Sequence, residues 1–429
     1  MNKLLNFFLL LLSVLFSCGG KAQQLSLQQC FQLGKENQPD FKIQQLKTIE
    51  KKETKRSFAS QFLPEIGVSA AHSYSFGSSI NPSNNNREPS NIQSDNLSVD
   101  ARINVFDYSK WNQSKIQQLD VEIEKLQLGV IENNFNLLVL EKFMKALSLQ
   151  QWKASVSFQI SNSKEQFQRI SKEVEIGRRA KSDLYDIEVI FLQDEQTLSK
   201  IIQDEKQAKL ELVQLLNSPS VSNNVELQIP EIAAFSDTYL NVSQNVSLLK
   251  QKIILEKSKA EVKQLKSLFM PTLQLNYSYG TFFAQKINNF SDTSLQFGNQ
   301  LKDNKNQYVG LSLYIPIFQK GNALQKQNLK RIEQQTLIEE EEKEKKRLTD
   351  VKDVLIQKVN SLLLLESNLK NLVTASKKAF ETTSQKYLFD KVDASVYKTA
   401  KNQVLQAEYD LLANQLDQLY FKQQLKIIF

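Results

Sequence analysis

Side chains able to do covalent or redox chemistry are sparse in these 429 residues, and they do not converge on a reaction centre. The one histidine, His72, has no second His or Cys at metal-ligand spacing. There is no glycine-rich phosphate loop and no nucleophile elbow. The sequence therefore predicts no enzyme, no cofactor and no metal. What remains is electrostatic. Ser98, Asp100, Arg102 and Asn104 fall at alternate positions, as do Gln274 and Asn276. That period places them on one side of a strand, facing water. Two acidic pairs, Asp183 with Asp186 and Asp390 with Asp393, stand near expected helix starts, where carboxylates serve as caps or dipole partners.

Long helices must position these residues. Phe106 to Ile176 contains no proline and one glycine, Gly129. Ile116, Leu119, Ile123, Leu126 and Val130, then Phe135, Leu138, Phe143 and Leu147, recur at helical spacing. At 1.5 Å per residue such a helix reaches roughly 105 Å, too long for one globular domain. It belongs to a rod or a tube. Glycine (11) and proline (8) are scarce throughout, which fits a mostly helical chain. The net charge of +7 is spread as interleaved Lys, Arg, Asp and Glu. That pattern describes a solvated coiled-coil surface rather than a nucleic-acid footprint, so no nucleic-acid partner is expected. The run Glu339 to Arg347 reads the same way, as a solvated helical stretch with local pairs.

Residues 1–22 have the pattern of an export signal: Lys3, then an apolar run from Leu4 to Phe16. Gly20-Lys21-Ala22 suits cleavage before Gln23, whereas Leu15-Phe16-Ser17-Cys18 suits a lipoprotein in which Cys18 is acylated. Both readings remain open at this stage. Either leaves Cys30 as the thiol of the body, read as a small buried helix residue with no disulfide partner.

The body reads as a tandem duplication. Residues 23–217 hold a helical start, strands at 65–77 and 97–106, a long helix at 107–176 and a return helix at 180–217. A linker at 218–240 follows. Residues 241–429 repeat the programme: a helix, strands at 272–282 and 308–318, a long helix at 320–388 and a return helix at 393–428. Pro64 and Pro271 lie 207 residues apart, and Phe106–Phe318 and Tyr185–Tyr397 are both separated by 212. In the strands Ile66, Val68, Ala70, Tyr74 and Phe76 alternate with small or polar residues, as do Leu97, Val99, Ala101, Ile103 and Val105. Strands of about ten residues suffice to cross a bilayer at barrel tilt. Four strands cannot close a barrel, since about eight is the practical minimum, and lipid tolerates no open edge. Strands that span here demand several copies of the chain.

In this order of landmarks the sequence resembles the TolC-like outer-membrane efflux proteins. The resemblance rests on Asn37-Gln38-Pro39-Asp40, Phe62-Leu63-Pro64, Gly177 at the first helical turn, Phe318-Gln319-Lys320-Gly321-Asn322 and the duplicated order. It implies a mainly α chain with membrane β: a homotrimer whose twelve strands form one β-barrel, continuous with a periplasmic α-helical barrel. It implies an exit duct for small molecules or proteins, working with a periplasmic adaptor and an inner-membrane RND or ABC pump. Val246 stands where the family's second Asn-Pro motif has proline, and the second helical turn has no matching glycine. Ser69, Ser73, Ser98, Asp100, Arg102, Asn104, Gln274, Asn276, Ser278 and Ser312 would face the lumen. Tyr74, Phe76, Tyr277, Tyr279, Phe282 and Phe283 would form an aromatic girdle, with His72 near the interface. Acidic residues at the family's far helical turns form a gate, which makes Asp390, Asp393, Asp183 and Asp186 its candidates here. A periplasmic adaptor or a structural coiled-coil envelope protein is the alternative. An adaptor predicts one hairpin flanked by soluble β-domains, and a coiled-coil protein predicts no alternating strands.

Overall fold

The computed structural model describes residues 24–429 apart from 56, 58, 81, 90, 220, 223–224, 232–240 and 288–295. Residues 1–22, with Cys18, and much of the 218–240 linker lie outside the described residues. The first repeat contains β1 (Gln24–Leu25), α1 (Leu27–Asn37), α2 (Pro39–Thr54), β2 (Glu65–Ser75), β3 (Ser78–Ile80), β4 (Arg87–Pro89), β5 (Ile92–Asp107), α3 (Tyr108–Glu175) and α4 (Lys181–Leu216). After β6 (Glu226–Leu227) come α5 (Val246–Gln264), β7 (Thr272–Lys286), α6 (Phe297–Asp303), β8 (Asn306–Tyr314), α7 (Asn322–Leu388) and α8 (Ala394–Ile428).

Several limits differ from those the sequence suggested. β5 begins at Ile92 rather than 97, and β7 continues to Lys286 rather than 282. The extra residues pair with each other: Ile92 lies opposite both Ser75 and Lys286. β8 stops at Tyr314 instead of 318, ahead of Pro316, which has no N–H for a ladder. α7 starts at Asn322 because Lys320 and Gly321 both have left-handed backbone (φ 53° and 77°).

The chain divides into two compact units. One comprises residues 47–125 and 250–341. Its centre is an antiparallel sheet in the order β2-β5-β7-β8, with β2 and β8 at the edges. A bulge between Asn104 and Phe106 places Phe106, not Val105, opposite Leu273. In the helices of this unit Ile116 and Leu119 of α3 pack on Ala260 of α5. Lys257–Asp120 (2.7 Å) and Lys330–Glu261 (2.5 Å) flank that contact.

The other unit comprises the described residues up to 46 with 126–249 and 342–429. Cys30, Val139, Leu140, Phe143, Leu147, Leu212 and Leu216 form its main core, and the parallel pair β1–β6 packs there through Leu25 and Leu227. Burial holds the Cys30 thiol up at about 12, so it stays protonated and inert. α1 opens with a Ser26/Gln29 capping box. A Cβ on Gly34 would meet the Phe135 ring at 2.2 Å, so only glycine lets α1 and α3 approach there. Val246 occupies the first turn of α5 as Pro39 does in α2. Asn245 supplies the cap: its Oδ1 accepts from the Ser247 N–H (2.9 Å), and its amide donates to the Ile428 carbonyl (2.8 Å).

Glu366 joins α7 to α8 by accepting from Gln415 and Gln418 (both 3.2 Å), with Lys370 at 2.8 Å. Hydrogen bonds from Lys370, Gln418 and Gln415 lower its pKa from 4.5 to about 2. A carboxylate lowered in the fold stabilises fully above its unfolded pKa, and that contribution disappears as pH falls toward the folded value. Thermal melts of wild type should therefore lose stability between pH 4.5 and 2 in part through this group. Glu366→Gln should melt lower at neutral pH and show a shallower acid slope.

Candidate functional site

The residues expected to face water lie together on one side of the sheet, because direct partners in a ladder share a face. Ser69 lies opposite Ser98, Arg102 opposite Asn276, Asn104 opposite Gln274, and Gln274 opposite Ser312. Their side chains bond across strands. The Ser69 and Ser98 hydroxyls are 2.7 Å apart, and Ser98 donates to Asp100 (2.7 Å). Gln274 donates to Asn104 (3.2 Å), and Arg102 donates to Asn276 (3.4 Å). The result is a hydrogen-bonded polar surface carrying both signs of charge.

The opposite face is mostly apolar and, away from Phe283, largely uncovered among the described residues. Val68 is 80 % exposed, Val309 69 % and Leu311 66 %. An apolar surface of this extent, on a sheet whose other face is polar, suits an apolar surrounding. His72 stands on this side near the loop end of β2, opposite Asp95, with its Nδ1 2.5 Å from the carboxylate. Tyr74, Tyr277 and Tyr279 share the apolar face. Two girdle candidates depart from the expected exposed ring. Phe282 lies opposite Asn96 on the polar face, whereas Phe283, opposite Asp95, is on the apolar face but buried against Phe297 of α6 (5.0 Å).

The acidic candidates lie in the other unit, at the α3–α4 and α7–α8 turns. Both turns close by the same two backbone bonds. Gly177 N–H donates to Val174 and Arg178 N–H to Glu173; Asp390 N–H donates to Tyr387 and Lys391 N–H to Lys386. This Schellman closure needs a left-handed residue, supplied by Gly177 (φ 72°) and by Asp390 (φ 55°). Asp390 thus takes the place of the missing second glycine. Equivalent positions in the turns lie 213 residues apart, as do the cap positions Ala180 and Asp393. Tyr185 and Tyr397 are therefore not counterparts: Tyr185 is 61 % exposed, whereas Tyr397 is buried.

The four acidic residues have different surroundings. Asp393 caps α8, its carboxylate accepting from the Val396 N–H (2.9 Å). Asp183 is in the first turn of α4 and Asp186 follows it; both contribute negative potential at the Tyr387 ring. Asp390 pairs with Arg179 of the other turn (2.8 Å). The Arg179 guanidinium is almost fully buried. It also meets Glu173 (3.1 Å), donates to the Tyr387 carbonyl (2.6 Å) and lies 5.0 Å above the Tyr387 ring. A planar donor fork satisfied on several sides is far better fixed than an ordinary surface pair. No local sequence pattern marks Arg179 or Tyr387 as site residues, and Tyr397 stands out only as a repeat landmark; the Arg178-Arg179 doublet beside Gly177 is the signal the sequence offers.

Two duplicated helical hairpins and a four-stranded sheet with one apolar face match the fold class of the TolC-like outer-membrane channels. The chain is similar over 94 % of its length to solved structures of that class. It matches the Vibrio cholerae outer membrane protein VceC (TM-score 0.76, 12 % identity, 94 % of this chain and 95 % of that one). It also matches the open state of the Neisseria gonorrhoeae MtrE outer membrane channel (0.74, 16 %, 94 % and 88 %) and the Campylobacter jejuni CmeC outer membrane channel (0.74, 14 %, 94 % and 84 %). No family model and no curated protein matches the sequence. The likeness favours a channel fold over the adaptor alternative.

The two turn aspartates should separate in a stability measurement. Asp393→Ala removes a cap and should cost about 1 kcal/mol in chemical denaturation. Asp390→Asn should cost less, since asparagine accepts left-handed backbone.

Proposed function

We propose that this chain is one protomer of an outer-membrane exit duct, and that the exposed apolar face of the sheet is the observation that carries the reading. The sheet has one face suited to acyl chains and one suited to water, and among the described residues β2 and β8 have unpaired edges. Joining β8 of one copy to β2 of the next leaves no free edge, and three copies give a twelve-stranded barrel above the practical minimum. Among the described residues no helix is long and apolar enough to cross a membrane. The apolar sheet face is what gives the strands the spanning role in this reading. Conduction is passive. The strands exclude lipid while Ser98, Asp100, Arg102, Asn104, Gln274 and Asn276 line an aqueous path.

The helical turns are the periplasmic mouth in this reading. Arg179 latches the α3–α4 turn to the α7–α8 turn through Asp390, while Asp183 and Asp186 add negative charge that favours cations. Asp393 serves the mouth by starting α8. Each turn ends on an exposed apolar residue, Ile176 (67 %) and Phe389 (71 %), at equivalent positions. These knobs suit contact with the helical tips of a periplasmic adaptor, which would couple the duct to an inner-membrane RND or ABC pump.

The reading is tested by separating inner and outer membranes and running the protein on heat-modifiable gels. A stable trimer in the outer membrane is expected, and a detergent-independent monomer would sink the proposal. In planar bilayers Arg179→Ala and Asp390→Asn should each raise single-channel conductance severalfold. Neutralising Asp183 and Asp186 should chiefly weaken cation preference. Unchanged conductance in both latch variants would remove the latch from the gate.

A further inference from the structure

A second ionic contact lies inside the helical unit, and the turn geometry does not itself require it. Lys401 of α8 is 1 % exposed. Its ammonium pairs with Asp194 of α4, and Asp194 also accepts a hydrogen bond from the Ser163 hydroxyl of α3 (2.6 Å). Lys401 is 3.4 Å from that hydroxyl, so three helices meet in one closed triad. Burial disfavours the charged amine and, with Lys398 nearby, lowers its pKa against the opposing pull of Asp194. A buried ion pair is a poor source of stability compared with apolar packing. Its better-attested use is to fix one arrangement among several that packing alone would allow.

The triad lies at one end of a continuous line of contacts. Asp393, Tyr397 and Lys401 recur every four residues and share one stripe of α8. The Tyr397 ring stacks on Tyr387 (4.9 Å) and also meets Phe380 (5.5 Å). Tyr387 in turn lies under the Arg179 guanidinium and offers it a carbonyl. Rotating α8 about its axis would move Tyr397 and withdraw support from Tyr387. An apolar stripe tolerates small rotations, whereas a lysine confined to one carboxylate and one hydroxyl does not.

We propose that Lys401, held by Asp194 and Ser163, is a positioning residue that sets the rotation of α8 and so keeps the Arg179–Asp390 latch closed. This inference rests on the latch reading given above and adds its control from inside the helical bundle. The two can fail separately.

The test is single-channel conductance of the full-length trimer, with heat-modifiable gels confirming assembly. Lys401→Met combined with Asp194→Leu replaces the pair by apolar groups of similar size, which preserves the fold but removes the directional contact. Conductance should rise toward that of Arg179→Ala, Lys401→Arg should retain the wild-type value, and adding the double substitution to Arg179→Ala should raise it no further. Wild-type conductance in the double variant, while Arg179→Ala conducts more, would overturn the positioning role and leave the latch standing. A full additive increase on top of Arg179→Ala would also overturn it, because the triad would then act elsewhere. An effect of the double variant with Arg179→Ala inert would overturn both the latch and this route to it.

Discussion

The governing constraint is that the sheet cannot satisfy itself within one chain. Among the described residues Val68, Val309 and Leu311 leave one face apolar and largely exposed, and β2 and β8 each retain an unpaired edge. In water such a sheet would aggregate, edge to edge and face to face. Closure with further copies inside lipid removes both problems at once. The polar side supports this reading because its side chains already bond to one another. Ser69, Ser98 and Asp100 form one such group, and Gln274 with Asn104 another. A face built this way stays wet without needing a core above it.

The helical unit solves a different problem. Its main core around Phe143, Leu147 and Leu212 holds the paired helices together by ordinary burial. Near the turns the packing becomes polar and aromatic: Arg179 under Asp390, Tyr387 on Tyr397, Lys401 on Asp194. Apolar contacts are strong but tolerant of sliding, while directional polar contacts are weaker and specify one arrangement. That division is what the proposed closable mouth would need. Such a mouth would combine a body that holds with tips that have two arrangements close in free energy.

Much of the fold was legible because its elements are local and periodic. The period-two alternation around Val68 and Val99, the long proline-free helix and the repeated order follow from spacing alone. The strand limits were less legible. The Ile92–Asn96 stretch carries weak alternation and becomes a strand because β2 and β7 lie beside it. The bulge at Val105 leaves no mark in composition, so Phe106 could not be placed opposite Leu273 in advance. For the candidate site the polar strand residues were readable, since register is inherited from alternation. The latch was not. Arg179 and Asp390 stand more than 200 residues apart in sequence, and no local pattern announces their contact. Asp390 itself was selected as an acid, yet its first structural duty is the left-handed closure that glycine performs in the other turn.

The central claim is that one sheet face meets acyl chains and the other meets water. Single cysteines introduced along β5 and β7 in assembled outer membranes, scored with a water-soluble and a lipid-soluble maleimide, test it directly. Cysteines at Ser98, Asp100 and Asn276 should react with the water-soluble reagent, while those at Val99, Ala101 and Leu275 should react only with the lipid-soluble one. Equal labelling of both sets by the water-soluble reagent would contradict the account.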